Sequence, residues 1–98
     1  MAFVQIVSFR TSRLDEIRAQ SEEFRQRAGA KQPVRVLACK DRDSDDQYAM
    51  VVEFPSYEEG MANSDAPETQ QFAARLAELC DAPPTFLNLD VIETFERQ

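Results

Sequence analysis

The sequence predicts a single α+β domain, residues 1–98, whose elements follow the order β-α-β-β-α-β. Apolar residues alternate with period two in four segments and recur at helical spacing in the segments between them. Helix-capping and turn residues separate these segments, and 98 residues with 43% hydrophobic composition suffice for one packed core. Right-handed crossovers would arrange the elements as a four-stranded antiparallel sheet with both helices on one face, a ferredoxin-like sandwich.

The first strand is predicted at residues 3–10, with Phe3, Val7 and Phe9 on one face and Val4 and Ile6 on the other. A helix follows, because Ser12 fits an N-cap and acidic residues at 15 and 16 favour the positive end of the helix dipole. Gly29 is predicted to end this helix. Its apolar stripe consists of Leu14, Ile17, Phe24 and Ala28.

The second and third strands are predicted at residues 34–39 and 47–54, joined by the polar loop 40–46. Ser56 and Glu59 form the S-x-x-E pattern of a capping box, which predicts a short helix to about Asn63. Asp65 is predicted to cap a longer helix that ends at Cys80, with Pro67 in its first turn.

The last strand is predicted from Thr85 to about Phe95. Alternation puts one apolar set on a single face of this strand: Leu87, Leu89, Val91 and Phe95. The first and third strands are apolar on both faces, yet two helices can cover only one face of the sheet. A second apolar layer is therefore required. Because no part of the chain remains to build it, the expected partner is a second copy in a homodimer.

Composition excludes several classes of function. The chain has neither His nor Trp, which removes His-ligated metal and haem sites and imidazole catalysis, so we expect no cofactor and no metal. The formal net charge of −7 disfavours binding to nucleic acid or to an anionic membrane. The N-terminus lacks the features of a signal peptide, and Cys39 and Cys80 are too few for a disulfide scaffold. We therefore expect a cytoplasmic protein in which both cysteines are small core residues.

The loop sequence Asp41-x-Asp43-x-Asp45 has the opening of an EF-hand calcium loop. That loop requires Gly at its sixth position and Glu at its twelfth, where this chain has Asp46 and Val52. The pattern is therefore interpreted as a solvated acidic loop.

Four polar residues are candidates for binding a ligand. Gln5, Tyr48 and Asn88 interrupt apolar strand faces, and Asn63 lies at the break between the two helices of the second helical region. An unpartnered buried amide or phenol costs about 1–3 kcal/mol, so each must meet a protein group, water or a ligand. Either these groups bond to one another and to the backbone, or they line a substrate pocket between the sheet and the second helical region.

The whole chain resembles the antibiotic-biosynthesis monooxygenase-like domains of the dimeric α/β-barrel superfamily. The resemblance rests on residues 3–10, on the segment Val51-Val52-Glu53-Phe54-Pro55-Ser56-Tyr57-Glu58-Glu59, and on the "N-S" break and "P-E-T-x-x-F" helix start within residues 62–72. It implies that two ferredoxin-like sheets meet as a barrel in a homodimer, with a pocket between each sheet and its helices.

The resemblance implies several functional types. Haem-degrading members depend on an Asn, a Trp and a His, and this chain has no Trp or His. The function expected is that of a cofactor-independent monooxygenase acting on a small aromatic substrate of polyketide or quinol type. Such an enzyme orients the substrate and stabilises its anion through side-chain hydrogen bonds. The alternative is a non-catalytic, ligand-binding or accessory homodimer of the same fold.

Overall fold

The chain folds into a sheet with helices packed on one side, in a computed structural model that describes residues 1–27 and 32–97. The elements of these residues, in chain order, are β1 (Phe3–Arg10), α1 (Leu14–Arg27), β2 (Arg35–Lys40), β3 (Gln47–Phe54), α2 (Tyr57–Asp65), α3 (Pro67–Leu79) and β4 (Thr85–Asp90). The strands pair antiparallel in the order β2-β3-β1-β4. The predicted ferredoxin-like topology is confirmed.

One face of the sheet, the helix face, contains the core. Val7 and Phe9 of β1 are buried against Ile17 of α1 and against Leu76 and Leu79 of α3. Side chains alternate along a strand, so the odd-numbered residues of β1 all lie on this face. Helices α1 and α3 therefore cover the half of the sheet at the Arg10 end of β1.

Helix α2 covers the other half, where Phe3 is fully buried. The Phe3 ring lies edge-on to Tyr57, with 5.4 Å between ring centroids, and tilted against Phe54 at 6.3 Å. A Cβ atom at Gly60 would lie 2.5 Å from Cδ2 of Phe3, closer than side-chain atoms approach. Glycine at this position therefore lets α2 lie directly on the Phe3 ring.

The start of α1 differs from the prediction. Ser12 is exposed and lies outside the helix, and the carbonyl of Arg13 accepts the first bonds of α1, from the backbone N–H groups of Glu16 and Ile17. The Thr11 Oγ1 accepts from the Arg13 N–H at 2.9 Å, which fixes the turn before α1 but does not cap the N–H groups of its first turn. Ser12 as N-cap was wrong because Arg13, the next residue, directly precedes the first helical residue, Leu14. Gly29 and Ala28 lie outside the described residues.

The two helices of the second helical region start differently. Ser56 caps α2 as predicted, because its Oγ accepts from the Glu59 N–H at 3.2 Å. Asp65 is not the cap of α3, since it is the last residue of α2 and Ala66 occupies the N-cap without a side-chain bond. Pro67 at the first helical position begins α3, and proline suits that position because its missing N–H would have no intrahelical partner.

Two further expectations were wrong. Strand β4 ends at Asp90 rather than near Phe95, and Ile92 and Phe95 beyond it are 88% and 85% exposed. The strand stops because β1, its pairing partner, begins at Phe3, which is opposite Asp90. Cys39 is exposed rather than in the core, because it lies on the edge strand β2 opposite Ala49, on the side away from the helices.

The open face of the sheet, on the side without helices, is apolar at its centre. Register places Leu37, Val51, Ile6 and Leu87 in one row across all four strands. The next row contains Arg35, Glu53, Val4 and Leu89, and an Arg35–Glu53 ion pair of 3.1 Å lies at its edge. All three leucines of these two rows are exposed, namely Leu37 at 47%, Leu87 at 57% and Leu89 at 42%.

Candidate functional site

Two of the four predicted site residues meet on the helix face. Gln5 of β1 and Asn88 of β4 are directly opposite in the antiparallel register, and Gln5 Nε2 donates a hydrogen bond to Asn88 Oδ1 at 3.0 Å. Gln5 is half-buried between Phe3 and Val7, whereas Asn88 is exposed on the edge strand. The structure thus joins a central and an edge strand through one amide–amide pair, which we call the amide pair.

Apolar side chains surround the amide pair. Val52 is opposite Gln5 on β3, and Phe86 lies two residues from Asn88 on the same face of β4. Phe86 is 50% exposed, because the helices cover the central strands and leave the edge strands β2 and β4 open. The surface therefore combines an amide pair with an exposed ring. The sequence argument did not single out Phe86, although alternation along β4 already placed it on the same face as Asn88.

Tyr48 lies on the same face but at a distance from the amide pair. It is four residues from Val52 along β3, which places it about 13 Å along the sheet. Its ring stacks on Phe9, with 5.8 Å between centroids, and its hydroxyl donates to the Asp45 carbonyl at 3.4 Å. The structure therefore does not bring Tyr48 together with Gln5 and Asn88.

Asn63 lies near the end of α2, and its carbonyl accepts from the Ala66 N–H at 3.2 Å. The break between α2 and α3 lies at Ala66, so Asn63 belongs to α2 and the predicted end of this helix at about Asn63 was wrong. The helix continues until the residue before Pro67, where an extended backbone is favoured. Residues three apart share a helix face, so half-buried Asn63 lies on the same side as Gly60, which packs on the Phe3 ring. The structure thus places Asn63 on the Gly60 side of α2 rather than at the break between the two helices.

A separate cleft of about 190 Å³ lies between α1 and α3. Phe24 and Phe72 form its apolar wall, stacked with 5.1 Å between ring centroids, and Gln20, Glu68 and Arg75 lie at its rim. None of the four predicted site residues lines this cleft. Phe24 and Phe72 pack against each other between α1 and α3.

The electrostatics of the Cys80 thiol do not make it an activated nucleophile. Burial raises the pKa of the Cys80 thiol, and the neighbouring Asp81 carboxylate raises it further. A raised pKa keeps the thiol protonated and therefore poorly nucleophilic. Within residues 1–27 and 32–97, no three His, Cys, Asp or Glu side chains are grouped so that they could hold a metal ion. No helix in the same residues has the length and apolarity to cross a membrane.

This fold, a four-stranded antiparallel sheet with helices on one face, recurs in solved structures. The chain is similar to SnoaB, a cofactor-independent oxygenase from Streptomyces nogalater, with a TM-score of 0.76 and 15% identity over 98% of both chains. Rv0793 from Mycobacterium tuberculosis gives a TM-score of 0.77 and 15% identity, covering 98% of this chain and all of the other.

A structure of an antibiotic biosynthesis monooxygenase gives a TM-score of 0.73 and 10% identity, covering 95% of this chain and all of the other. No protein-family model and no curated protein matches the sequence. At these identities the likeness shows the fold. The predicted resemblance to the antibiotic-biosynthesis monooxygenase-like proteins is thus confirmed at the level of the ferredoxin-like fold.

Proposed function

We propose that this protein binds a small aromatic molecule on the helix face of its sheet and oxygenates it without a cofactor. The observation that carries the proposal is the amide pair, a polar contact set among Val7, Val52 and the half-exposed Phe86. Ligand sites commonly combine an apolar lining with a few polar groups that fix orientation. The fold likeness to SnoaB, described as a cofactor-independent oxygenase, supports the reaction class.

The proposed reaction takes its electrons from the substrate. A ring methylene group and one O2 molecule give a ring carbonyl and one water molecule, so four electrons pass from the substrate carbon to oxygen. The methylene first releases a proton to water, and the resulting negative charge spreads over the ring oxygens. The protein's part is to orient the ring and to offer amide N–H groups to those oxygens.

The two remaining candidates are proposed as further lining residues. Asn63 is half-buried near the end of α2, on the side of the helix that also carries Gly60. Tyr48 would contact only a ligand long enough to extend about 13 Å from Gln5 along the sheet.

We propose that the functional unit is a homodimer in which two open faces meet. The support is the row of Leu37, Val51, Ile6 and Leu87, which no other part of the described chain covers. We also assign the protein to the cytoplasm, where its two free cysteines, Cys39 and Cys80, would stay reduced.

A specific observation favours the second candidate function, a non-catalytic ligand-binding or accessory dimer. Gln5 and Asn88 bond to each other, and the Tyr48 hydroxyl bonds to the backbone of the hairpin loop. A purely structural role for these groups would account for the same bonds. The two functions differ in whether oxygen is consumed when the ring is bound.

The first test replaces Gln5 by Leu, which keeps the side chain's approximate size and removes its amide. We expect Gln5→Leu to weaken binding of an aromatic probe, 1-naphthol, about five- to tenfold in a fluorescence titration, because one or two hydrogen bonds to the ring oxygen are lost. The thermal unfolding of the variant should stay close to that of wild type, since Gln5 is not fully buried.

The control is Gln47→Leu, the same substitution at a site far from the amide pair. Gln47 is the first residue of β3 and pairs with Arg10, whereas Gln5 pairs with Val52 near the other end of that strand. It should leave 1-naphthol binding unchanged. Equal binding by wild type and Gln5→Leu would contradict the site. Oxygen uptake with the enolisable ring ketone anthrone, measured by electrode, separates the enzyme from the non-catalytic dimer, which would bind without consuming oxygen.

A further inference from the structure

The direction of the Gln5–Asn88 bond decides which atoms remain for a ligand. Gln5 Nε2 is the donor and Asn88 Oδ1 the acceptor. Besides the second N–H of Gln5 Nε2, this bond leaves the Gln5 Oε1 acceptor and the Asn88 Nδ2 donors available, because a carboxamide has one carbonyl oxygen and one NH2 group with two donors. Within the part of the chain that the structure describes, neither atom makes another hydrogen bond.

The sheet holds these two groups side by side. Gln5 and Asn88 are paired in the β1–β4 register, and directly opposite residues have Cβ atoms about 4.5–5.5 Å apart. Gln5 lies on a central strand that is hydrogen-bonded on both sides, which limits its backbone movement. The remaining acceptor and donor therefore lie on neighbouring side chains of the same sheet face.

We propose that Asn88 has two roles: it positions the Gln5 amide through their hydrogen bond, and it contacts the ligand itself, so that the pair recognises a ring hydroxyl. The hydroxyl oxygen would accept from Asn88 Nδ2 while its proton is donated to Gln5 Oε1. A hydroxyl both donates and accepts, so it satisfies both groups, whereas an ether oxygen or a phenolate can only accept. This inference rests on the proposed function and narrows its ligand to hydroxylated aromatic rings.

Phe86 supplies the apolar part of this recognition. It is 50% exposed and lies two residues from Asn88 on the same strand face, about 7 Å along β4. A ring whose hydroxyl meets the amide pair can therefore contact the Phe86 ring. Loss of the Phe86 ring should weaken binding of every aromatic ligand equally, whereas loss of Asn88 should act only on hydroxylated ones.

The experiment compares two probes, 1-naphthol and 1-methoxynaphthalene, which differ in their ability to donate a hydrogen bond. Wild type should prefer 1-naphthol about tenfold in Kd, the effect of one to two net hydrogen bonds. Asn88→Leu should remove this preference, and Asn88→Gln, which carries the same amide on a longer chain, should restore part of it. Phe86→Leu should weaken both probes and leave the ratio of the two Kd values unchanged.

The outcomes separate the inference from the function on which it rests. If wild type binds neither probe, ring binding itself fails, and the positioning role fails with it. If wild type binds both probes equally, or if Asn88→Leu keeps the preference, ring binding stands and the positioning role of Asn88 is overturned. Far-ultraviolet circular dichroism of each variant shows whether it is folded, and exposed Asn88 should tolerate both changes.

Discussion

Thr11 shows how much of this fold can depend on one hydroxyl group. Its Oγ1 donates to the Leu79 carbonyl at 2.7 Å and accepts from the Arg13 N–H at 2.9 Å, and the residue is 2% exposed. Its own N–H donates to the Asp46 carbonyl at 3.0 Å. The residue therefore connects the end of β1, the start of α1, the end of α3 and the hairpin loop.

Removal of this hydroxyl should destabilise the protein. Thr11→Val keeps the shape of the side chain but leaves the Leu79 carbonyl and the Arg13 N–H without their partner, which should cost about 1–3 kcal/mol in the free energy of unfolding. Urea unfolding measures the loss. Thr11→Ser is the matched control, because it keeps the hydroxyl and loses only a methyl group. Equal stability of the Val and Ser variants would show that the two hydrogen bonds contribute nothing.

At the scale of the element, helix starts depend on which polar side chain meets the free N–H groups of the first turn. Ser56 does so for α2, whereas Ser12, which has the same residue type near the start of α1, does not. The sequence shows two serines in similar settings. They differ in position: Ser56 directly precedes α2, whereas Arg13 lies between Ser12 and α1, in a turn that Thr11 fixes by its bonds to the Arg13 N–H and to the Leu79 carbonyl of α3.

The two serines therefore form a matched test. Ser56→Ala should lower the free energy of unfolding by about 1 kcal/mol, the usual cost of losing an N-cap. Ser12→Ala should change it by no more than about 0.5 kcal/mol, since an exposed side chain outside the helix is removed. Both values come from thermal or urea unfolding. A larger loss for Ser12→Ala than for Ser56→Ala would contradict the capping assigned here.

The sequence predicts the elements well where periodicity alone determines them. Strands β1 and β3 have the predicted bounds because their apolar residues alternate over their full length and Pro55 follows β3. Strand β4 was predicted too long, because apolar residues continue to Phe95 while the paired residues of β1 end at Phe3. Strand ends depend on the partner strand, and a single sequence does not give its register.

The candidate site was predictable to the same extent. Alternation and strand order place Gln5 and Asn88 on one face of adjacent strands, so their meeting follows from the topology. The contacts of Tyr48 were harder to predict from the sequence. Its hydroxyl bonds to the hairpin loop, and the conformation of a loop does not follow from periodicity. The functions of these residues stay predictions.

For the whole molecule, the open face is the feature that a single chain leaves unexplained. Each hydrophobic side chain that becomes buried contributes about 1.5–3 kcal/mol, and the face carries exposed Leu37, Leu87 and Leu89 beside half-buried Val4, Ile6 and Val51. If two copies buried these faces against each other, as we propose, the free energy gained would exceed the cost of association, about 4–15 kcal/mol. The Arg35–Glu53 ion pair lies at the edge of the face, where it can stay hydrated.

A charge at the centre of the open face should therefore separate the two copies. Val51→Asp places a carboxylate in the row formed by Leu37, Ile6 and Leu87, where two copies would bury it against hydrophobic side chains without a partner. Light scattering after gel filtration should show a dimer for wild type at micromolar concentration. For Val51→Asp it should show a monomer or insoluble protein. Leu87→Asp should give a folded monomer, because Leu87 is already 57% exposed in one copy.

Val34→Asp is the matched control for this prediction, because it introduces the same charge at a valine that is 64% exposed and outside the strands. It should remain a dimer, since Val34 precedes the edge strand and does not belong to the apolar row. If Val34→Asp also became a monomer, the added charge itself, and not its place on the open face, would explain the dissociation of Val51→Asp. If the wild-type protein is monomeric at micromolar concentration, the open face is not an interface between two copies. The exposed leucines of that face would then have to be covered by a different molecule.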